Sequence, residues 1–294
     1  MAALHQPILI VGDRGMLAHA IRQALLARDV QPSGVDVDRC DITRPEQIAS
    51  CLDQLQPALV INCAAYTNVD GCEKNVELAN AVNGHGVGNL AQACRARGAA
   101  LVHFSTDYVF DGSLRRPLRP DDPVGPRSAY GRSKLLGEQL LQEHAPERWL
   151  IIRTAWLYGP NGPSFPQAML NAARAGKPLR VVADQLGSPT FTFDLADATL
   201  NLLDRAARGV FHVTNSGQTS WFDFAKAIFA EFDVTPTSIE PIDSAAWKQI
   251  KPDSADRPPY SVLDLSDYER VTAQAMPSWQ DGLGRYRALI QPRI

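Results

Sequence analysis

Residues 7–18 have the sequence PILIVGDRGMLA, which joins a short apolar run to a glycine-containing loop and the start of a helical pattern. The run from Pro7 to Val11 predicts a buried strand, and Met16 to Arg28 predicts a helix with one apolar face. Glycine between two such elements permits a tight turn and lets the backbone approach a pyrophosphate. The stretch therefore predicts a strand–loop–helix unit that binds a dinucleotide.

The same alternation continues through the first half of the chain. Further strands are predicted at Gly34–Val37, Ala58–Asn62, Ala99–Phe104, Trp149–Arg153 and Gly209–Thr214. Helices are predicted between them at Arg44–Leu55 with Thr43 as N-cap, within Val76–Arg97, from near Ser128, and within Phe191–Arg208. Fully apolar strands separated by helices are typical of a parallel sheet covered on both faces. We predict an α/β fold with a Rossmann-type doubly wound parallel sheet.

The second half of the chain has a different character. Prolines and aromatic residues become frequent from Pro160 onward, and 239–259 is expected to be loop-rich with at most a short helix. This change predicts a smaller C-terminal substrate domain interleaved with the first. We expect the dinucleotide-binding domain to comprise residues 1–154 and 191–216, and the substrate domain residues 155–190 and 217–294.

Composition excludes several classes of protein. The net charge of −3 provides no basic field for nucleic acid and no polybasic stretch for an anionic membrane surface. The N-terminal residues lack a cationic start and a long apolar run, so neither a signal peptide nor a membrane span is expected. The five cysteines form no C-x-x-C pair and the six histidines show no metal-ligand spacing, which favours a cytoplasmic protein without bound zinc.

The glycine loop belongs to a wider set of residues expected around a cofactor. Asp36 follows Gly12 by 24 residues, near the spacing of an acid that bonds the adenosine ribose. Arg14 and Arg39 could instead contact a 2′-phosphate, so both NADPH and NADH stay open. The residues expected at the cofactor are Gly12, Arg14, Gly15, Met16, Leu17, Asp36, Asp41, Ile42, Ala64, Ala65, Thr67 and Phe104, with Tyr130 and Lys134 beside the nicotinamide.

Tyr130 and Lys134 form the most specific motif, Y-G-R-S-K. On a helix, positions i and i+4 share one face, so both side chains point into the same space. An ammonium beside a phenol is expected to lower its pKa from about 10, which would make Tyr130 a usable proton donor. We expect Lys134 also to hold the nicotinamide ribose.

These motifs, taken with several further segments, resemble the extended short-chain dehydrogenase/reductase family over nearly the whole chain. The further segments are A-A-Y-T-N-V-D at 64–70, S-T-D-Y-V-F-D-G at 105–112, R-T-A-W-L-Y-G at 153–159, D-Q-L-G-S-P-T at 184–190 and R-P at 257–258. Within that family the likeness is to reductases that act on the 4-ketone of a nucleotide-linked deoxysugar. The resemblance therefore implies an NAD(P)H-dependent oxidoreductase with a nucleotide-sugar substrate, which could act as a homodimer.

The resemblance also implies roles for individual residues. Thr106 is expected to polarise the substrate carbonyl, Asp107 and Trp156 to lie beside the sugar, and Arg257 to bind the nucleotide diphosphate. Asn83 matches an asparagine that the family places near its proton relay. Some relatives bind magnesium at a dimer interface, but the matching positions here carry Ala20 and Phe193, so no metal is expected.

Two alternatives remain open from the sequence. One is a nucleotide-sugar 4-ketoreductase of different stereochemistry, or an epimerase. The other is a non-catalytic NADP-binding subunit like the regulatory subunit of methionine adenosyltransferase.

Overall fold

A computed structural model describes residues 6–291 of the chain. The strands are β1 Ile8–Val11, β2 Ser33–Val35, β3 Leu59–Asn62, β4 Ala100–Thr106, β5 Trp149–Thr154, β6 Leu157–Tyr158, β7 Leu179–Val182, β8 Leu186–Gly187, β9 Thr190–Phe191, β10 Gly209–His212, β11 Thr219–Ser220 and β12 Ile239–Ile242. The α-helices are α1 Met16–Leu26, α2 Pro45–Leu55, α3 Val69–Lys74, α4 Val76–Ala79, α5 Gly86–Arg97, α6 Ala129–Glu143, α7 Phe165–Arg174, α8 Thr192–Asp204, α9 Trp221–Glu231, α10 Ser244–Ile250, α11 Ser266–Thr272 and α12 Trp279–Ile290. A π-helical segment, Asn80–His85, joins α4 to α5.

Six strands form the main sheet in the order β10-β5-β4-β3-β1-β2, and every neighbouring pair is parallel. This arrangement confirms the predicted doubly wound parallel sheet. From β1 the chain passes to β2 on one side, whereas β3 lies on the other, so the strand order reverses between β1 and β3. Sheets of this kind bind ligands beyond the carboxyl ends of the strands at such a point.

Apolar side chains cover both faces of this sheet. Ile8, Ile10 and Ile61 pack into a cluster on one face, and Leu9 and Val11 pack into a second cluster on the other. Successive side chains of a strand point to opposite faces, so a strand buried on both sides must be apolar at every position. That requirement explains the uninterrupted apolar runs in the sequence.

The second half of the chain contributes a separate aromatic core. Its central members are Tyr158, Phe191, Phe224, Trp279 and Tyr286, which come from β6, β9, α9 and α12. Short two-stranded pairs, β7 with β12 and β8 with β11, complete this part. Along residues 6–291 no helix combines the length and the apolar character needed to cross a membrane.

The second strand ends earlier than predicted. The expected strand runs to Val37, but β2 ends at Val35 because the chain turns at Asp36. The Asp36 carboxylate accepts hydrogen bonds from the N–H groups of Val37 (2.8 Å) and Arg14 (3.0 Å), and its carbonyl accepts one from Cys40 (2.8 Å). Asp36 therefore follows the strand, at the edge where a ribose is expected.

Two other local predictions are wrong. The N-cap of α2 is Arg44 rather than Thr43, because Pro45 takes the first helical position and the Thr43 hydroxyl donates to Asp41 (2.7 Å). The segment 239–259 holds a strand, β12, as well as a helix, α10. Glu240 and Pro241 interrupt the apolar pattern of β12, which is why the sequence did not reveal it.

Candidate active site

The loop after β1 forms a cradle against the loop after β3. Gly12 has φ +79°, and a Cβ built on it would lie 2.6 Å from the backbone nitrogen of Ala64. Gly15 is the N-cap of α1, with no side chain bonded to the first N–H groups of that helix. Uncapped N–H groups at a helix N-terminus bind phosphate well. Both features fit the pyrophosphate of a dinucleotide.

A cleft of about 350 Å³ opens beside this cradle. Seven residues predicted for the cofactor line it: Gly12, Gly15, Asp36, Asp41, Ile42, Ala64 and Ala65. The sequence missed the rest of the wall, which is formed by Val37, Cys40, Cys63, Tyr66, Leu78 and Val82. Leu78 and Val82 come from α4 and the π-helical segment, and their pattern alone does not distinguish a ligand wall from a core face.

Apart from Tyr130 and Lys134, the remaining residues predicted for the cofactor lie outside this wall: Arg14, Met16, Leu17, Thr67 and Phe104. Arg14 is exposed, and its guanidinium pairs with Asp38 at 2.6 Å. Leu17 packs into the core of the sheet, so only its backbone could face a ligand. Thr67 is exposed, whereas Phe104 is buried and presents its carbonyl to Lys134.

The catalytic motif begins α6. Ser128 caps the helix by accepting a hydrogen bond from Gly131 N (3.1 Å), which places Tyr130 in the first turn. A Cβ on Gly131 would lie 2.3 Å from the Tyr108 carbonyl, so this glycine lets α6 approach the end of β4. The Tyr130 and Tyr108 rings meet edge to face with centroids 6.0 Å apart.

Thr106 and Tyr130 meet at the carboxyl end of β4, where the Thr106 hydroxyl lies close enough to the phenol to oppose the rise in the pKa of Tyr130. Thr106 also accepts from Tyr108 N (3.2 Å) and donates to Asp107 Oδ1 (3.0 Å). Burial raises the pKa of Asp107 to about 7. Its second oxygen, Oδ2, has no hydrogen-bond partner among the described residues. The end of β4 thus collects the three hydroxyl and carboxyl groups that the sequence assigned to catalysis and to the sugar.

Lys134 lies beneath this cluster and is almost fully buried. Its Nζ donates to the Phe104 carbonyl (2.6 Å) and lies 3.2 Å from His103 Nε2. Burial lowers the pKa of Lys134 to about 8. The pKa of Tyr130 is raised above its ordinary value, by burial first and by the charge of Asp107 second. The direction is opposite to the sequence expectation, because Lys134 Nζ is held on a backbone carbonyl while burial acts on the phenol.

Asn83 holds the loop that follows β3. Its Oδ1 accepts from Tyr66 N (2.8 Å), and its Nδ2 donates to Tyr66 O (2.9 Å) and to Ser133 Oγ (3.0 Å). The side chain therefore joins a wall residue of the cleft to α6. The sequence placed Asn83 near the proton relay, and the structure adds this positioning contact.

Arg257 is the link between the catalytic end of β4 and the C-terminal part. Its guanidinium pairs with Asp70 at the start of α3 (2.9 Å), and its charge partly opposes the rise that burial causes in the pKa of Tyr108. The Asp70 carboxylate also accepts from Ala255 N (3.1 Å). The structure therefore brings Arg257 to within one aromatic ring of Tyr130, and it adds Asp70 and Tyr108, which the sequence analysis did not single out as site residues.

Trp156 lies in an aromatic stack of the C-terminal part. Its ring stacks on Trp221 with centroids 3.5 Å apart and 9° between the planes. A Cβ on Gly187 would lie 2.6 Å from the Trp156 ring, and Trp156 itself has φ +48°. A tryptophan rarely adopts this left-handed conformation, which costs about 1–2 kcal/mol. The stack and the close glycine hold the ring in one orientation.

No group of three or more His, Cys, Asp or Glu side chains that could hold a metal ion occurs within residues 6–291. Ala20 and Phe193 occupy adjoining helices, α1 and α8, and Phe193 contacts the His19 ring. The absence of a metal requirement stays a prediction.

Comparison with known proteins gives consistent results. A family model described as "RmlD substrate binding domain" matches residues 6–291. A dTDP-4-dehydrorhamnose reductase of Streptomyces griseus is 41% identical over 280 residues, covering 94% of this chain and 91% of that protein. The solved dTDP-4-dehydrorhamnose reductase of Clostridium acetobutylicum has a TM-score of 0.90 and 39% identity, covering 97% and 99% of the two chains. That of Bacillus anthracis, solved in complex with NADP, has a TM-score of 0.90 and 34% identity, covering 96% and 98%.

Proposed function

The chain belongs to the family of the RmlD substrate binding domain, and from this premise we propose that it reduces the C4 ketone of dTDP-4-dehydro-L-rhamnose to dTDP-L-rhamnose with NADPH or NADH. The observation that carries the proposal is the meeting of Thr106 and Tyr130 at the carboxyl end of β4, in the same sheet whose β1 and β3 end in the glycine cradle. Reduction of a ketone needs a proton donor and an oxyanion partner at one oxygen atom. The reaction belongs to nucleotide-sugar synthesis for cell-surface polysaccharide.

The residues at the switch point between β1 and β3 fit a reduced nicotinamide dinucleotide. The glycine cradle and the uncapped start of α1 suit the pyrophosphate, and the cleft beyond Asp36 suits the adenosine. When bound, the cofactor would supply the hydride that reduces the ketone carbon. Arg14 forms an ion pair with Asp38, and Arg39 lies in the same turn. Either arginine could contact the 2′-phosphate of NADPH, so the proposal includes both NADPH and NADH.

The protein's own groups would complete the reduction. Tyr130 donates its phenolic proton to the ketone oxygen, and Thr106 donates a hydrogen bond to the same oxygen as negative charge develops there. A threonine hydroxyl has one proton, which in the present structure points at Asp107. Substrate must therefore draw this proton away from the carboxylate. Lys134 holds the nicotinamide ribose and stabilises the charge on Tyr130 after the proton leaves.

We assign the sugar nucleotide to the cleft between the two parts of the chain, residues 1–154 with 191–216 and residues 155–190 with 217–294. Asp107 would face the sugar hydroxyls, and the Trp156 ring would pack against the sugar. Arg257 would bind the diphosphate after leaving Asp70. The ion pair of Arg257 with Asp70 supports this placement, because it holds the guanidinium charge near Tyr108 at the edge of the catalytic cluster.

Family membership favours this reductase over the alternatives left open by the sequence. Thr106, Tyr130 and Lys134 are all present and adjoining, which supports turnover rather than a purely regulatory subunit. The stereochemistry of the product distinguishes the proposed reductase from a related 4-ketoreductase or an epimerase.

The test is to mix the protein with dTDP-4-dehydro-L-rhamnose made in situ and to follow nicotinamide absorbance with NADPH and NADH in parallel. We expect sugar-dependent oxidation and dTDP-L-rhamnose as the product. Tyr130→Phe should lower kcat by about 10²–10⁴-fold while cofactor binding persists. Cofactor binding without oxidation would refute the proposed substrate.

We further propose that the enzyme acts in the cytoplasm without a nucleic acid or membrane partner, and that it forms a homodimer. Five cysteines without disulfide bonds agree with a reducing compartment. Light scattering coupled to size-exclusion chromatography measures the mass of the assembly, and a monomer at micromolar concentration would refute the dimer.

A further inference from the structure

A buried polar chain runs behind the catalytic lysine, from the end of β3 through β4 to α6. Asn62 and His103 are cross-strand neighbours in the β3–β4 pair. Asn62 Nδ2 lies 3.1 Å from His103 Nδ1, and His103 Nε2 lies 3.2 Å from Lys134 Nζ. All three side chains are at most 2% exposed. Their hydrogen atoms must therefore be shared among themselves and the adjacent backbone.

The orientation of the Asn62 amide sets the proton on the histidine ring. Asn62 Oδ1 accepts a hydrogen bond from the backbone N–H of Ala64 (3.0 Å), and a backbone N–H can only donate. The reversed amide would place its NH₂ group against this N–H, so Nδ2 must face the ring. His103 Nδ1 then accepts, and a neutral ring carries its hydrogen on Nε2.

This tautomer determines which protonation state of Lys134 fits the hydrogen bond. The Nε2–H of His103 points at Lys134 Nζ, which also donates to the Phe104 carbonyl. An ammonium has three donors and no acceptor, so it cannot bond to Nε2–H, whereas a neutral amine has a lone pair that can. The hydrogen-bond pattern is therefore that of a neutral amine.

We propose that His103 is a positioning residue that favours the neutral amine form of Lys134 in the cofactor-free enzyme, so that cofactor binding near pH 8 is accompanied by proton uptake at Nζ. The proposal rests on the function proposed above. The proton comes from the solvent and forms a new N–H bond with the amine lone pair. Ribose hydroxyls and phosphate charges of the cofactor favour the ammonium. Protonation is opposed by His103, because its Nε2–H then faces an N–H of the Lys134 ammonium.

The surroundings of Lys134 agree with this assignment. The Glu138 carboxylate, one turn along α6, is bound by Arg153 through two hydrogen bonds of 2.7 and 2.9 Å. Burial lowers the pKa of Lys134 to about 8, and Glu138 and Cys63 raise it only in part. Burial holds the pKa of His103 well below its ordinary value, so the ring stays neutral.

Other titratable groups face the same space and must be separated experimentally. Tyr130 lies on α6 with Lys134, Asp107 follows β4, and Cys63 follows β3. The pKa of Asp107 is raised to about 7, so a change at this carboxyl could also move a proton. Variants of His103 and Lys134 distinguish their contribution from that of Asp107.

The experiment is calorimetric titration of the full chain with NADH at pH 8 in two buffers of different ionisation enthalpy. NADH lacks the 2′-phosphate, which has its own ionisation. With the Lys134 pKa near 8, we expect the wild type to take up about half a proton per NADH bound. His103→Gln can turn an acceptor oxygen toward an ammonium, so its uptake should fall to near zero.

Two further variants complete the test. His212→Gln is the matched control, because His212 is a buried histidine of the same sheet, on β10, and should keep the wild-type uptake. Lys134→Met should abolish the uptake whether or not His103→Gln folds. Full uptake in either Lys134→Met or His103→Gln, or none in the wild type, would overturn the inference. Failure of the wild type to bind NADH or NADPH would instead count against the proposed function.

Discussion

Replacing Gly12 by alanine tests whether the cradle between β1 and β3 must exclude a side chain. At φ +79° an alanine costs about 1–2 kcal/mol of backbone strain. Its Cβ would also lie 2.6 and 2.7 Å from the nitrogen and Cα of Ala64, which are backbone atoms that cannot turn aside. Overpacking of this kind costs about 1–3 kcal/mol more. We therefore expect the unfolding free energy of Gly12→Ala to fall by about 2–5 kcal/mol.

Gly98→Ala is a matched control for this change. Gly98 ends α5 with φ +67°, and a Cβ on it would meet no atom within 4 Å. The control therefore carries the backbone strain alone, about 1–2 kcal/mol. The difference between the two variants isolates the steric contact.

Thermal unfolding with and without NADPH measures both effects. A loss of 1 kcal/mol in the free energy of unfolding lowers Tm by about 2–4 °C for a chain of about 150–250 residues. Gly12→Ala should therefore melt at least about 2 °C below Gly98→Ala. Because the added methyl group separates the two loops, Gly12→Ala should also bind NADPH at least about tenfold more weakly, whereas Gly98→Ala should bind normally. Equal stability and equal NADPH affinity in the two variants would refute the reasoning.

Three other changes test the catalytic cluster. Thr106→Val removes the hydroxyl expected to stabilise the developing oxyanion, so kcat should fall about 10²–10³-fold while the Kd for NADPH, measured by fluorescence, stays constant. Asp107 has a pKa raised to about 7, so the folded chain binds a proton more tightly than the unfolded chain and loses stability as pH rises from about 4 to 7. Asp107→Asn should therefore raise Tm at pH 8 and not at pH 4, while lowering activity; equal shifts at both pH values would contradict this. Lys134 loses its proton above about pH 8, so kcat/KM for the cofactor should decline from there, and a profile flat to pH 9.5 would oppose this assignment.

The sequence predicted the sheet because burial on both faces leaves a strong signature. All six strands of the main sheet were located to within two residues, and the helix motif of Tyr130 and Lys134 lies where its spacing placed it. Asp36 shows the limit of this approach. Its carboxylate ends β2 by capturing the N–H of Arg14, a contact across 22 positions that no local pattern encodes.

The environment of the catalytic pair was harder to predict than its position. The i, i+4 spacing brings Tyr130 and Lys134 to one face of α6, but it does not specify what lies beneath that face. β4 supplies the Phe104 carbonyl and the His103 ring to the lysine, so the Lys134 nitrogen is bonded to β4 rather than to the phenol. Periodicity cannot reveal such a contact because it depends on the packing of α6 against β4.

The end of β4 concentrates polar groups that the folded chain does not satisfy by itself. Within the described part of the chain, Ser105 Oγ, Asp107 Oδ2 and Thr154 Oγ1 are buried without a hydrogen-bond partner. Ser105 and Thr154 lie on neighbouring strands, where Thr106 pairs with Thr154. Each unpaired buried group costs about 1–3 kcal/mol, a cost that the rest of the sheet must offset. Of these atoms, Asp107 Oδ2 belongs to the carboxyl that we propose faces the sugar, and a hydrogen bond donated by a sugar hydroxyl would satisfy it and lower its cost to stability.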